Sequence, residues 1–181
     1  MLLPIDTPLV PALEEMHGLA RLLARTADRL AARTFAAGRL GPECLLRLYG
    51  QWHSAEAVHW HRLPPGFALK SSRGHASTRL VMPRDNIDLA VLRQAAGRWL
   101  AREPGPPARL FAEELLLGHN GRPAVAWRFR LKRSRLEALS DAPPDPRLML
   151  AAAHLAAGLD QVCIRLHLVG SRVVFGSIRR E

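Results

Sequence analysis

The sequence predicts an α+β fold in which helices pack against an antiparallel sheet. Apolar residues recur at helical spacing through the first third of the chain, whereas two later segments alternate apolar and polar residues as antiparallel strands do. No strand–helix–strand unit repeats, which argues against a parallel sheet. We therefore expect one compact domain over residues 1–181, with a helical N-terminal third at 9–50 and a sheet-rich remainder.

The helical third carries a row of arginines opposite its apolar residues. Pro11 is typical of a helix start and Gly38 of a helix end, and a shorter helix is predicted for 42–49. At about 100° per residue, arginines four positions apart lie across the polar half of the first helix. These arginines are Arg21, Arg25, Arg29 and Arg33.

Two hairpins are predicted in the remainder of the chain. In the first, over 110–132, Asn120 and Gly121 indicate a two-residue turn with positive φ at both positions. The second, over 162–179, turns at Gly170 and Ser171.

Two helical segments are predicted between these hairpins. Ser134 and Glu137 match a capping box, which predicts a short helical turn. The segment 145–158 is apolar nearly all round and is predicted to be the most buried helix, with Leu150 and Leu155 in the core.

The composition of the chain indicates a basic globular protein and argues against a disordered protein or a membrane protein. The chain is 48% hydrophobic and 23% charged, and 26 basic against 16 acidic residues give a formal charge of +10. No apolar run approaches the roughly 20 residues that span a bilayer, and the start lacks a signal-peptide pattern, so a cytoplasmic protein is predicted. Cys44 and Cys163 lack metal-site spacing and are predicted to be buried thiols.

Alternation in both hairpins predicts one basic face on the sheet. Residues 127–131 and 164–168 place apolar side chains on one face and basic side chains on the other. We predict that this face, extended at its ends, binds anions. The residues concerned are Arg128, Arg130, Lys132, Arg133, Arg135, Arg165 and Arg179, with Arg21, Arg25 and Arg29 as a second patch.

The basic face favours a non-enzymatic module that binds the backbone of DNA or RNA. The alternative is a structural or adaptor subunit of a multi-protein bacterial assembly, with the arginines against an acidic partner surface. Whether the arginine excess is functional or only compositional stays open. No catalytic residue, cofactor or metal is predicted. His59 and His61 lie two apart on a predicted strand, but they lack a third ligand at a defined spacing.

A further alternative comes from a local resemblance. The segment 114–123, with a hydrophobic strand before Asn120 and Gly121, resembles the strand–turn–strand stretch of chorismate lyases and related bacterial effector domains. This resemblance implies an antiparallel sheet with a pocket for a small anion. Glu113 stands where those lyases carry an arginine, and the last hairpin offers Gly176 or Ser177 in place of their late glutamate. Lyase activity is therefore not expected.

Overall fold

A computed structural model describes residues 28–74, 77–102, 107–118, 120–140, 142–159 and 161–180. Within these ranges, helices and strands are combined as the sequence predicts, and the α+β class is confirmed. The helices are α1 (Arg29–Leu40), α2 (Leu89–Arg102) and α3 (Pro146–Ala156). The strands are β1 (Leu48–Trp52), β2 (Phe67–Ser71), β3 (Thr78–Val81), β4 (Leu110–Glu114), β5 (Trp127–Lys132), β6 (Arg135–Ala138), β7 (Val162–Val169) and β8 (Arg172–Arg180).

The strands form two antiparallel sheets of four strands each. Sheet 1 has the order β1-β4-β2-β3 and sheet 2 the order β6-β5-β7-β8. One face of sheet 1 packs on α2, and one face of sheet 2 packs on α1 and α3, so each sheet has its own hydrophobic core. None of the described helices is both long and apolar enough to cross a membrane.

Helix α1 begins at a side-chain cap and ends at a glycine. The Asp28 carboxylate accepts hydrogen bonds from the backbone N–H groups of Leu30 and Ala31, and Gly41 follows the helix with a φ of +88°. The helix buries Phe35 and two alanines against sheet 2. Of the predicted long helix, the part before residue 28 lies outside the described residues.

The predicted helix over 42–49 is wrong. The chain there forms a 3-10 helix over Pro42–Cys44 and then enters β1, which pairs with β4. A short leucine-rich segment does not distinguish a strand from a helix by its own pattern, and the pairing with β4 decides between them.

The predicted hairpin over 110–132 is also wrong, because β4 belongs to sheet 1 and β5 to sheet 2. The segment between β4 and β5 connects the two sheets, and Leu117 and Pro123 form an isolated antiparallel bridge within it. Gly121 has the predicted positive φ, at +68°. The Gly118 N–H donates to the Arg122 carbonyl at 2.8 Å, so the turn encloses three residues and not two.

Some of the elements predicted after β5 are confirmed and others are wrong. Arg133 and Ser134, both with positive φ, form the turn between β5 and β6, so the helical turn predicted there is wrong. Helix α3 begins at Asp145 as predicted and fully buries Leu155, but Leu150 is 60% exposed. The predicted hairpin of β7 and β8 is confirmed.

Candidate functional site: a cleft between the two sheets

The faces of the sheets that do not pack on helices line a cleft of about 450 Å³. Residues from β2, β3 and β4 form one wall, and residues from β7 and β8 form the other. Arg29, Leu46 and residues of the segments 115–116 and 123–126 complete the lining. Residues of sheet 1 in the lining are Ala68, Lys70, Thr78, Leu80, Glu113 and Glu114. Residues of sheet 2 in the lining are Arg165, His167, Gly176, Ser177 and Arg179.

Strand alternation decides which side chains reach the cleft. On β2, Leu69 is fully buried in the core of sheet 1, and its neighbour Lys70 lines the cleft. On β7, Ile164 and Leu166 are buried in the core of sheet 2, and Arg165 between them lines the cleft. The alternation that places apolar side chains in each core therefore also places the polar side chains in the cleft.

A buried carboxylate joins the cleft to α1. The Glu113 side chain is only 4% exposed, and its Oε2 lies 2.6 Å from a guanidinium nitrogen of Arg33. Its Oε1 forms an ion pair with the ammonium group of Lys70. Because two cations compensate one buried carboxylate, this cluster leaves the site with a net positive charge.

Arg29 ties the same helix to the turn between β2 and β3. Its guanidinium donates hydrogen bonds to the carbonyls of Ser71, Gly74 and Ser77 and to the Thr78 hydroxyl. The Thr78 bond is the shortest of these, at 2.8 Å. Helix α1 thus packs in the core of sheet 2 while its arginines bind sheet 1.

The predicted basic sheet face exists on sheet 2. Register places Arg128 of β5 opposite Arg165 of β7, while Arg130 lies opposite Cys163, which in turn lies opposite Arg179. Directly opposed residues share a face, so four arginines lie on the same side of this sheet. Arg165 and Arg179 line the cleft. Within the part of the chain that the structure describes, the guanidinium groups of these two form no hydrogen bond or ion pair.

The other predicted site residues are not part of the cleft lining. Lys132, Arg133 and Arg135 lie at the exposed hairpin of β5 and β6, where Arg135 forms a solvent-exposed ion pair with Glu137. Arg21 and Arg25 lie outside the described residues. The predicted set is therefore divided, and the structure adds Lys70, Glu113, His167 and Ser177, which sequence reasoning missed as site residues.

His167 is a half-buried imidazole at the cleft wall. Its Nδ1 lies 3.1 Å from the Val125 carbonyl, and a Cβ on Gly176 would come within 3.1 Å of its Nε2. Burial lowers the pKa of His167 below 6.5, and the charges of Lys70 and Arg165 lower it further. The Val125 bond and Glu113 act in the opposite direction but do not prevail.

This shift predicts that His167 makes the protein less stable in acid. Well above pH 6.5 the imidazole is neutral in both states, whereas as the pH falls through 6.5 the unfolded chain binds the proton first and unfolding is favoured. We expect the free energy of unfolding to fall between pH 7.5 and 5.5, and to fall less in His167→Gln. Urea titrations at both pH values measure this, and equal pH dependence of the two proteins would contradict it.

His59 and His61 do not lie on a strand, contrary to prediction. His59 precedes a 3-10 helix, Trp60–Arg62, and His61 lies within it; their ring centroids are 6.3 Å apart, and both side chains are exposed. The described residues contain no cluster of three or more His, Cys, Asp or Glu side chains that could hold a metal. Cys44 and Cys163 are buried thiols as predicted, and burial raises the pKa of Cys44 to about 11.

Comparison with known proteins identifies related folds among solved structures. A RimK domain ATP-grasp protein from Sphaerobacter thermophilus DSM 20745 superposes with a TM-score of 0.56 and 17% identity, over 88% of this chain and 59% of that one. D-alanine-D-alanine ligase from Helicobacter pylori gives a TM-score of 0.53 and 11% identity, over 85% of this chain and 54% of that one. No protein-family profile matches the sequence. No curated protein sequence matches it either.

These structures share the fold of the chain, which spans less than two thirds of the length of either of them. Their fold contradicts our interpretation of a non-enzymatic nucleic-acid-binding module. The predicted chorismate-lyase-like sheet is also wrong, because β4 and β5 belong to different sheets and do not form its hairpin. The comparison does not test the adaptor alternative. The basic face of sheet 2 therefore needs a different explanation.

Proposed function

We propose that this chain is a nucleotide-binding domain of the ATP-grasp type, which binds ATP in the cleft between its two sheets. The observation that carries the proposal is the pair Arg165 and Arg179, two guanidinium groups that line the cleft. A second support is the fold shared with a protein that is itself named for ATP-grasp. A cytoplasmic location, where ATP is available, is part of this proposal.

The cleft has the size and the chemistry for a nucleotide. A volume of about 450 Å³ lies within the range of small-molecule and cofactor sites. Its basic side chains suit the phosphates, because guanidinium groups donate two parallel hydrogen bonds to phosphate oxygens. Apolar residues suit the flat faces of the base. These residues are Leu46, Ala68, Leu80, Leu115, Leu116 and Pro123.

The proposal is limited to binding. The D-alanine-D-alanine ligase that shares the fold is nearly twice as long as the aligned part, so its reaction does not transfer to this chain. The proposal depends on the arrangement of two antiparallel sheets around a cleft and on the cationic residues that this chain places in that cleft.

Loss of the two guanidinium groups should weaken ATP binding. We expect Arg165→Gln and Arg179→Gln each to lower the affinity about tenfold or more, because a hydrogen bond to a charged group contributes about 1.5 to 3 kcal/mol. The measurement is isothermal titration calorimetry of ATP into each protein at low ionic strength.

Arg135→Gln is the matched control for this test. It removes the same charge from the same sheet, but at an exposed hairpin beyond the cleft, so its affinity for ATP should remain within about twofold of wild type. Equal loss in all three variants would indicate a general charge effect. No detectable heat with wild-type protein at millimolar ATP would refute the proposed function.

A further inference from the structure

The cleft presents few ligands for the Mg²⁺ that usually accompanies ATP. Proteins bind Mg²⁺–nucleotide through one or two carboxylates plus the phosphates, and phosphoryl transfer uses the metal to neutralise developing charge. Among the described residues that line the cleft, the carboxylates are Glu113 and Glu114. Both already have polar partners.

Both carboxylate oxygens of Glu113 form ion pairs with cationic side chains. Each of its oxygens is held by one of them, Oε2 by Arg33 and Oε1 by Lys70, and the side chain is 4% exposed. A metal ion at Glu113 would have to displace one of these cations and leave it unpaired in a buried position. Glu113 is therefore suited to a structural role in this ion cluster and not to the role of a metal ligand.

Glu114 does not complete a site with Glu113. Its Oε2 accepts a hydrogen bond from the backbone N–H of Arg47 at 3.3 Å. Adjacent residues on a strand direct their side chains to opposite faces, so these two carboxylates do not converge on one ion.

The opposite wall supplies cations and neutral groups. Cleft-lining positions of β7 and β8 carry Arg165, His167, Ser177 and Arg179, none of which is a carboxylate. Register places Ser177 directly opposite Arg165. This wall therefore offers no carboxylate oxygen to Mg²⁺. It offers hydrogen-bond donors that bind phosphate oxygens directly.

Resting on the proposed function, we infer that the cleft binds nucleoside triphosphate without a divalent cation, with Arg165 and Arg179 neutralising the phosphates in its place. Metal-free ATP carries more negative charge than its Mg²⁺ complex, so a site that offers guanidinium groups to the phosphates prefers the free form. Magnesium should then compete with the protein for the phosphates and should not assist binding.

The first experiment compares ATP affinity of the wild-type protein in EDTA and in excess MgCl₂ at equal ionic strength, by calorimetry. We expect Mg²⁺ to weaken binding about threefold to tenfold. Affinity that is unchanged or tightened by Mg²⁺ would overturn this inference while the proposed function stands. Absence of binding in both buffers would overturn both.

The second experiment adds a carboxylate to the cationic wall. Ser177→Asp should weaken binding in EDTA about tenfold, because it places a negative charge beside the phosphates, and Mg²⁺ should then restore part of the affinity. Ser177→Asn, which has the shape of the aspartate without its charge, is the control: any loss that the two variants share comes from the added side chain, and the difference between them measures the charge. If the aspartate variant matches the asparagine variant in both buffers, the phosphates do not lie at β8 and the inference fails.

Discussion

Glu113→Gln is expected to lower the free energy of unfolding by about 3 to 5 kcal/mol. The substitution keeps the shape of the side chain but removes the charge that Arg33 and Lys70 share, and the Arg33 side chain is only 11% exposed. Two cations then remain close together in a largely buried place, with no carboxylate between them. Chemical denaturation followed by tryptophan fluorescence measures the loss.

Glu114→Gln is the matched control for this prediction. It changes the next residue on the same strand, where the carboxylate is partly exposed and accepts one long hydrogen bond. We expect a loss below about 1 kcal/mol. If the two variants were destabilised equally, the ion cluster of Glu113 would not be the cause.

The second large effect is expected in the core of sheet 2. Leu155→Ala should cost about 2 to 5 kcal/mol, because this side chain on α3 is fully buried and its truncation leaves a cavity. The same denaturation experiment measures it, and an unchanged midpoint would contradict the position of α3 in the core.

Leu150→Ala provides the comparison on the same helix. Leu150 is 60% exposed, so its truncation should change stability by no more than about 0.5 kcal/mol. The sequence predicts both leucines to be buried, and only the structure separates them. A large loss in Leu150→Ala would mean that another surface covers this face of α3.

Local chemistry accounts for the elements that sequence reasoning predicted correctly. The cap at Asp145 and the alternation of β7 and β8 are encoded within a few residues of each element. The same alternation predicted that Arg128, Arg130 and Arg165 share one face, with Arg179 as an extension of it, and the register of sheet 2 places all four on one side. Such patterns depend on neighbours in sequence, and the sequence contains those neighbours.

Long-range pairing explains what was missed. Nothing local distinguishes a hairpin from two strands in different sheets, because the turn at Gly121 is present in both cases. Lys70 and Glu113 are 43 residues apart in sequence, so neither one signals the other. The sequence predicts a polar turn after Lys70, but Lys70 and Arg165 line the same cleft only because the two sheets pack together.

The attachment of α1 to both sheets also makes the two cores dependent on each other. Its apolar side lies in the core of sheet 2, while Arg29 and Arg33 bind groups of sheet 1. Local opening of either core therefore carries the added free-energy cost of breaking contacts with the other. Occupancy of the cleft and resistance to unfolding are thermodynamically linked through one helix, so a ligand that stabilises one half of the molecule protects the amide hydrogens of the other.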